Sequence, residues 1–471
     1  MAAGFAFFGT CVDTPRLGEV RGLEAPSLLV VSDGRISQRC MGAEALERRR
    51  QLEQEGVEVR VLEQGEVLLP GFIDGHIHFP QFCFAGCGID MPLMHPEGFL
   101  AKYAFPTEES MGEVERAKVV YRAALEVLLH CGTTTAVIYG SLHLGASKVL
   151  VDVALERKGP RAFVGKVCAD RYCPDTYVEE TEQSLQDTED FIQYTQSRRT
   201  GSEAPFLVQP VVTPRFLPTC TPKLLQGLGR LADKYGCIIQ SHLSESIDEV
   251  EFSATLFPGQ TDAEVFHQFG LLKSPSMMGH SVQLMQGEEE LLRQNGAAIA
   301  HCPLSNFFFA SGALPVKQLL KRGVKVALGT DIAGGYSPSM LTAMRSAVMA
   351  AKTLQFRHVK GCAFGTESEA PSAKRAKNAE APAGSSEDEL SHFEALYLAT
   401  KGGAEALDLG HLLGSFEVGC RFDALRLRSQ VGPMASFPAS SQADMLLKII
   451  TLGDDRNVKQ VFVDGELVHS L

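Results

Sequence analysis

The chain of 471 residues has no tryptophan and no surplus of basic residues: 44 Lys and Arg stand against 57 Asp and Glu, a formal charge of −13. A balance of that sign argues against nonspecific binding of nucleic acid or of an anionic membrane. No apolar run approaches the ~20 residues needed to span a bilayer. The segment Met1-Ala-Ala-Gly-Phe-Ala-Phe-Phe8 has no basic residues ahead of its apolar ones, so it does not read as a secretory signal. The 12 cysteines show no regular spacing, and Cys83 and Cys87 are four apart, which excludes a paired zinc-knuckle or zinc-finger framework. Free thiols in a reducing cytosol are the expectation, and with them a cytoplasmic, soluble protein with no nucleic-acid or membrane partner.

What is present is ordinary in amount and patterned in order. An apolar fraction of 45% and a charged fraction of 21% fit a large globular core. Strand-like segments recur at Phe72–His76, Thr134–Tyr139, Ala162–Cys168, Phe206–Val212, Cys237–His242, Met277–His280, Ala297–His301 and Val324–Thr330. Helical patterns lie between them, among them Val114–His130, Thr181–Gln196, Pro222–Tyr235, Glu288–Gln294 and Val316–Lys321. Eight nearly continuous apolar strands alternating with helices predict a (β/α)8 barrel.

The two ends differ from this middle. Ser27–Ser32 followed by Asp33-Gly34, and Val458–Val468 with its Asp464-Gly465 turn, predict hairpins. Shorter β candidates lie at 57–62, 67–69 and 422–427, and 44–54 is helix-prone. A small β-sandwich-like domain assembled from residues 1–68 and 411–471 is expected, around a barrel at 69–364 and a helical return at 389–410. Residues 365–388 lack core formers and read as a disordered insertion.

The chemistry is concentrated where barrel strands end. His76 and His78 are two apart on one strand and so share a face. His242, His280 and Asp331 each follow another strand. Any one of these histidines is accounted for as a hydrogen-bonded core residue. Ionisable groups gathered at one end of four different strands are not, because buried charges cost several kcal/mol unless paired or metal-bound. Three histidines and an aspartate suit Zn²⁺ or Fe²⁺. A divalent ion would bring a bound water's pKa towards neutrality, with Asp331 as ligand and base, Glu245 as proton shuttle and His280 beside the attacking oxygen. Glu245 also reads as a solvent-facing carboxylate at a helix start. The fourth strand ends Thr213-Pro214-Arg215-Phe216, without the lysine a carbamylated two-metal bridge requires, so one metal is favoured. The Pro-Cys-x-x-Cys signature of the cytidine-deaminase type of zinc site is absent.

Longer motifs carry a resemblance. Leu69-Pro-Gly-Phe-Ile-Asp-Gly-His-Ile-His78, Tyr103-Ala-Phe-Pro106, Gly132-Thr-Thr-Thr-Ala136, Thr213-Pro-Arg-Phe216, Gln240-Ser-His-Leu-Ser-Glu245, Ala300-His-Cys-Pro303, Gly329-Thr-Asp-Ile-Ala-Gly-Gly-Tyr-Ser337 and Leu452-Gly-Asp-Asp-Arg-Asn457 are spread over nearly the whole chain. With these the chain resembles the amidohydrolase superfamily and, within it, the guanine deaminase family of animals. The resemblance implies one zinc per chain on His76, His78, His242 and Asp331, hydrolysis of guanine to xanthine and ammonia by a zinc-activated hydroxide, and a homodimer. It makes Glu245, His280 and Asp331 catalytic. It makes Gln81, Arg215 and Phe216, with His78, His242, Glu245 and Asp331, the groups that hold guanine. On their own residues, Arg215 reads equally as a salt bridge at the barrel mouth and Phe216 as a core aromatic. The alternatives are another mononuclear aminohydrolase acting on a purine, pterin or triazine, and a non-catalytic scaffold. One departure stands at Pro92–Leu100, near the mouth, where the resemblance leads one to expect a Trp-containing helix start.

Overall fold

In the computed structural model, which describes residues 4–200, 206–356 and 389–471, the apolar middle segments form one eight-stranded parallel sheet. Its strands are Phe72–His78, Thr133–Tyr139, Arg161–Cys168, Val208–Pro214, Ile238–Leu243, Ser276–His280, Ala298–His301 and Lys325–Leu328, each bonded to the next in chain order. The last strand returns to the first through Asp331 N–H to the His76 carbonyl at 2.9 Å and His78 N–H to the Ile332 carbonyl at 3.1 Å, which nearly closes the barrel. Asp74 completes the seam. Its carboxylate, wholly buried, accepts the Thr330 backbone N–H at 3.0 Å and the Thr330 hydroxyl at 2.5 Å. Thr330, expected at the end of the eighth strand, is therefore bonded to a side chain and lies beyond that strand. The fourth strand sits two residues later than expected, because Phe206 lies outside the sheet beneath the Arg161 guanidinium.

Helices cover the barrel where their sequences dictate. Pro222–Tyr235 starts with Thr221, whose side chain accepts the Leu224 N–H, and has proline in its first turn. It ends at Gly236 with φ 62°, and buries Leu224, Leu225, Leu228 and Ala232. The expected helical return contains helices His392–Ala399 and Lys401–Ala406, while the expected disordered insertion at 365–388 falls outside the described residues.

The termini build two four-stranded sheets. One runs in the order Arg35–Met41, Ser27–Ser32, Phe5–Gly9, Glu58–Val61; the other runs Glu466–Ser470, Val458–Val463, Ala424–Arg428, Glu66–Pro70. Both Asp-Gly turns have positive φ at both residues (50° and 71° at Asp33-Gly34, 52° and 79° at Asp464-Gly465), the conformation this pair favours in a tight hairpin. The sheets share a buried aromatic core in which Phe7 stacks on Phe422 at 5.7 Å and meets Phe462 edge-on at 5.5 Å.

The barrel and the terminal sheets are joined by a buried ion pair. Arg161, fully buried at the start of the third barrel strand, donates two parallel hydrogen bonds of 2.9 Å to Asp423 and also contacts Asp464. Removing one side of such a pair leaves an uncompensated buried charge. Arg161→Met is therefore expected to lower stability by about 3–5 kcal/mol, read as a fall in the urea midpoint at unchanged slope.

Candidate active site

The barrel geometry brings the ends of four strands to one point. The first strand runs on to His78, so both of its imidazoles face the same side, with ring centroids 5.1 Å apart. His78 Nε2 lies 3.1 Å from His242 Nε2. Asp331 Oδ1 lies 3.2 Å from His76 Nε2 and 3.4 Å from His78 Nε2. His280 Nε2 is 3.6 Å from Glu245 Oε2 and 3.8 Å from Asp331 Oδ2. Each of these six side chains is less than a tenth exposed. Asp331, His280, Ser281 and Ser244 hold left-handed φ of 46–66°, a conformation that costs a non-glycine residue roughly 1–3 kcal/mol and here re-aims side chains at the ends of strands.

Hydrogen bonds set the face that each imidazole presents. His242 Nδ1 donates to the Arg215 carbonyl at 2.6 Å, leaving Nε2 bare towards the centre. His280 Nδ1 donates to the Asn306 side-chain oxygen at 2.9 Å, and the Asn306 amide nitrogen faces His301 Nδ1 at 3.3 Å. Burial, reinforced by neighbouring imidazoles, drives the pKa of His76, His78 and His242 well below the usual histidine range, and burial lowers that of His280. Burial, then Asp331 and Asp248 beside it, raises Glu245 well above the usual carboxyl range.

This donor set fits a metal ion. Uncharged imidazoles offer lone pairs, and both ring nitrogens of His76 and Nε2 of His280 are buried without a hydrogen-bond partner among the described residues. Leaving such atoms unsatisfied costs about 1–3 kcal/mol each. The ligand atoms of His76, His78 and His242 lie within 4.8 Å of one another, and Asp331 adds an oxygen. A cation among His76, His78, His242 and Asp331 would take up one ring nitrogen of each histidine and an oxygen of the carboxylate. Cys302 lies in reach of His76 and His280, and burial raises its thiol well above the usual range.

Next to this cluster is a narrow cavity lined by Gln81, Arg215, Glu245 and Gly334, with Leu93, Phe99, Leu100 and Phe309 as apolar walls. The Pro92–Leu100 segment thus supplies part of the wall with leucine and phenylalanine. Phe216 is buried against His242, ring centroids 6.2 Å apart and edge-on, away from that lining. Sequence reasoning missed Asp74, Asn306 and Glu108. Asp74 was within reach, since it lies inside the quoted motif of the first strand. Glu108 and Asn306 carry no local signal, since each acts through a partner far along the chain.

The amidohydrolase family matches residues 67–468 of the chain. The chain belongs to the amidohydrolase family. Within that family, guanine deaminase of Dictyostelium discoideum is 36% identical over 476 residues, 98% of this chain and 97% of that protein. Guanine deaminase of Homo sapiens is 37% identical over 421 residues, 87% of this chain and 85% of that protein. The crystal structure of guanine deaminase from C. acetobutylicum with bound guanine in its active site superimposes with a TM-score of 0.84 at 30% identity, over 99% of this chain and 100% of that one. Amidohydrolases are metal-dependent, in keeping with the donor set above.

Replacing His242 by alanine takes away one of the nitrogens at the centre. Divalent-metal affinity, read by competition with a chromogenic chelator, is expected to fall by more than the roughly 10- to 100-fold that follows loss of an outer hydrogen-bond partner.

Proposed function

We propose that the protein hydrolyses guanine to xanthine and ammonia, with one zinc ion held by His76, His78, His242 and Asp331. The observation that carries this reading is that Gln81, Arg215 and Glu245 line one buried cavity with the imidazole cluster. The full-length likeness to guanine deaminases supports it. Zinc in this nitrogen and oxygen set supplies Lewis acidity, bringing the pKa of water towards neutrality.

The side chains do the rest. Arg215 offers a fork of donors to the O6 and N7 acceptors of the purine, and Gln81 both donates and accepts. Phe216 backs the pocket from behind His242. Glu245, whose raised pKa suits it to carry a proton, gives one to N3 and so makes C2 electrophilic. His280 presents a bare Nε2 that accepts a hydrogen bond from the attacking oxygen. The C2–O bond forms, the exocyclic C2–N bond breaks, and ammonia leaves with a proton passed on by Glu245 or Asp331. Leu93, Phe99 and Phe309 give the cavity an apolar wall on one side. As part of the same reading the protein works as a cytoplasmic homodimer, for which sedimentation at twice the chain mass is the expected result.

The test is ammonia release and ultraviolet change with guanine, beside adenine, cytosine and 8-oxoguanine. Guanine is expected to be turned over fastest. Glu245→Gln is expected to reduce kcat by about 10²–10⁴-fold at unchanged zinc content. Full activity in that variant overturns the role of Glu245, and zinc-loaded protein inert to guanine overturns the substrate.

A further inference from the structure

Glu108, in the short helix Phe105–Glu109 outside the barrel, is wholly buried and meets three side chains. Its Oε1 accepts the Gln81 amide N–H at 2.8 Å. Its Oε2 accepts the Tyr177 hydroxyl at 3.0 Å and is paired with the Arg215 guanidinium. The backbone N–H of Ala333 donates to the other end of the Gln81 amide, Oε1, at 3.1 Å. An isolated glutamine can present its amide either way round, whereas here a carboxylate claims the nitrogen and a backbone N–H claims the oxygen, so the amide is held in one sense. One N–H and one lone pair on Gln81 remain uncommitted, and the side chain lines the cavity.

The same carboxylate also neutralises one charge of the pocket lining, the Arg215 guanidinium. The Arg215 guanidinium is permanently charged, and the buried Glu108 carboxylate is paired with it. The Arg215 side chain is 3% exposed and lies over the Phe105 ring at 4.9 Å, where solvent screens it little. Without Glu108, a desolvated cation would face whatever purine enters. Guanine is neutral at physiological pH, whereas xanthine is the more acidic molecule and ionises more readily. A lone arginine would hold the ionised product, and an arginine already paired does not.

We propose that Glu108 is a positioning residue that sets the specificity of the purine pocket, by fixing the amide sense of Gln81 and by cancelling the charge of Arg215 so that neutral purines are preferred over anionic ones. The proposal rests on the guanine reading above, and it extends that reading to release of the product.

The experiment is calorimetry on the zinc-loaded protein with hypoxanthine, neutral at pH 7.5, and urate, an anion there, beside steady-state kinetics with guanine. In Glu108→Gln the ratio of urate to hypoxanthine affinity is expected to rise at least about tenfold over wild type. The guanine KM is expected to rise with a smaller change in kcat. Glu108→Asp keeps the charge but shortens the reach to Gln81. Its affinity ratio is expected to stay near wild type while the guanine KM rises. Should the Gln variant not fold, the Asp variant still decides, since an unchanged KM there overturns the positioning role. A parallel shift of both ligands in Glu108→Gln, or no shift, overturns the charge role. Wild-type protein that releases no ammonia from guanine refutes the guanine reading alone, because the two ligand affinities still test Glu108.

Discussion

The structure depends on the cost of placing uncharged imidazoles and carboxylates together out of water. His76, His78, His242, His280, Asp331 and Glu245 all lie buried at one end of the barrel, and their mutual hydrogen bonds do not satisfy them. Most of the surrounding architecture holds this arrangement in place. The Asp74–Thr330 seam brings the first and last strands together, which puts Asp331 against His76. The Arg215 carbonyl and the Asn306 amide fix the ring faces of His242 and His280. The left-handed turns after the strands keep the side chains aimed inward at the expense of backbone strain.

A chain of contacts links this cluster to the groups that would read the substrate. Arg215 contributes its carbonyl to His242 and its guanidinium to the cavity, so one residue ties binding to the metal-holding set. Glu108 in turn holds Arg215 and Gln81, and Tyr177 holds Glu108. Further out, the Arg161–Asp423 pair fastens the terminal sheets to the base of the third strand. The apolar lining of Leu93, Phe99 and Leu100 beside this frame comes from a segment of turns and one irregular helical turn.

The barrel was legible because its strands are buried on both faces and read as apolar runs, and the hairpins because Asp-Gly pairs have few alternatives. The convergence of His76, His78, His242, His280 and Asp331 followed from the rule that barrel chemistry sits at the ends of strands. Other features were not legible. The strand Phe5–Gly9 has no local pairing signal, and its partner Ser27–Ser32 meets it over an aromatic core shared by both terminal sheets. Glu108 and Asn306 are ordinary polar residues in sequence, and their meaning comes from partners 27 and 26 residues away that only the fold supplies. Phe216, two residues past the end of the fourth strand, is buried edge-on against His242, a contact that spacing alone does not reveal.

The most direct test of the central claim is to strip the protein of metal with a chelator, add zinc back stepwise and follow guanine deamination against zinc added per chain. The account predicts that activity is lost on stripping and returns linearly to a break at about one zinc per chain, as a single set of three nitrogens and one carboxylate requires. Activity that survives stripping, or a break at two, would contradict it.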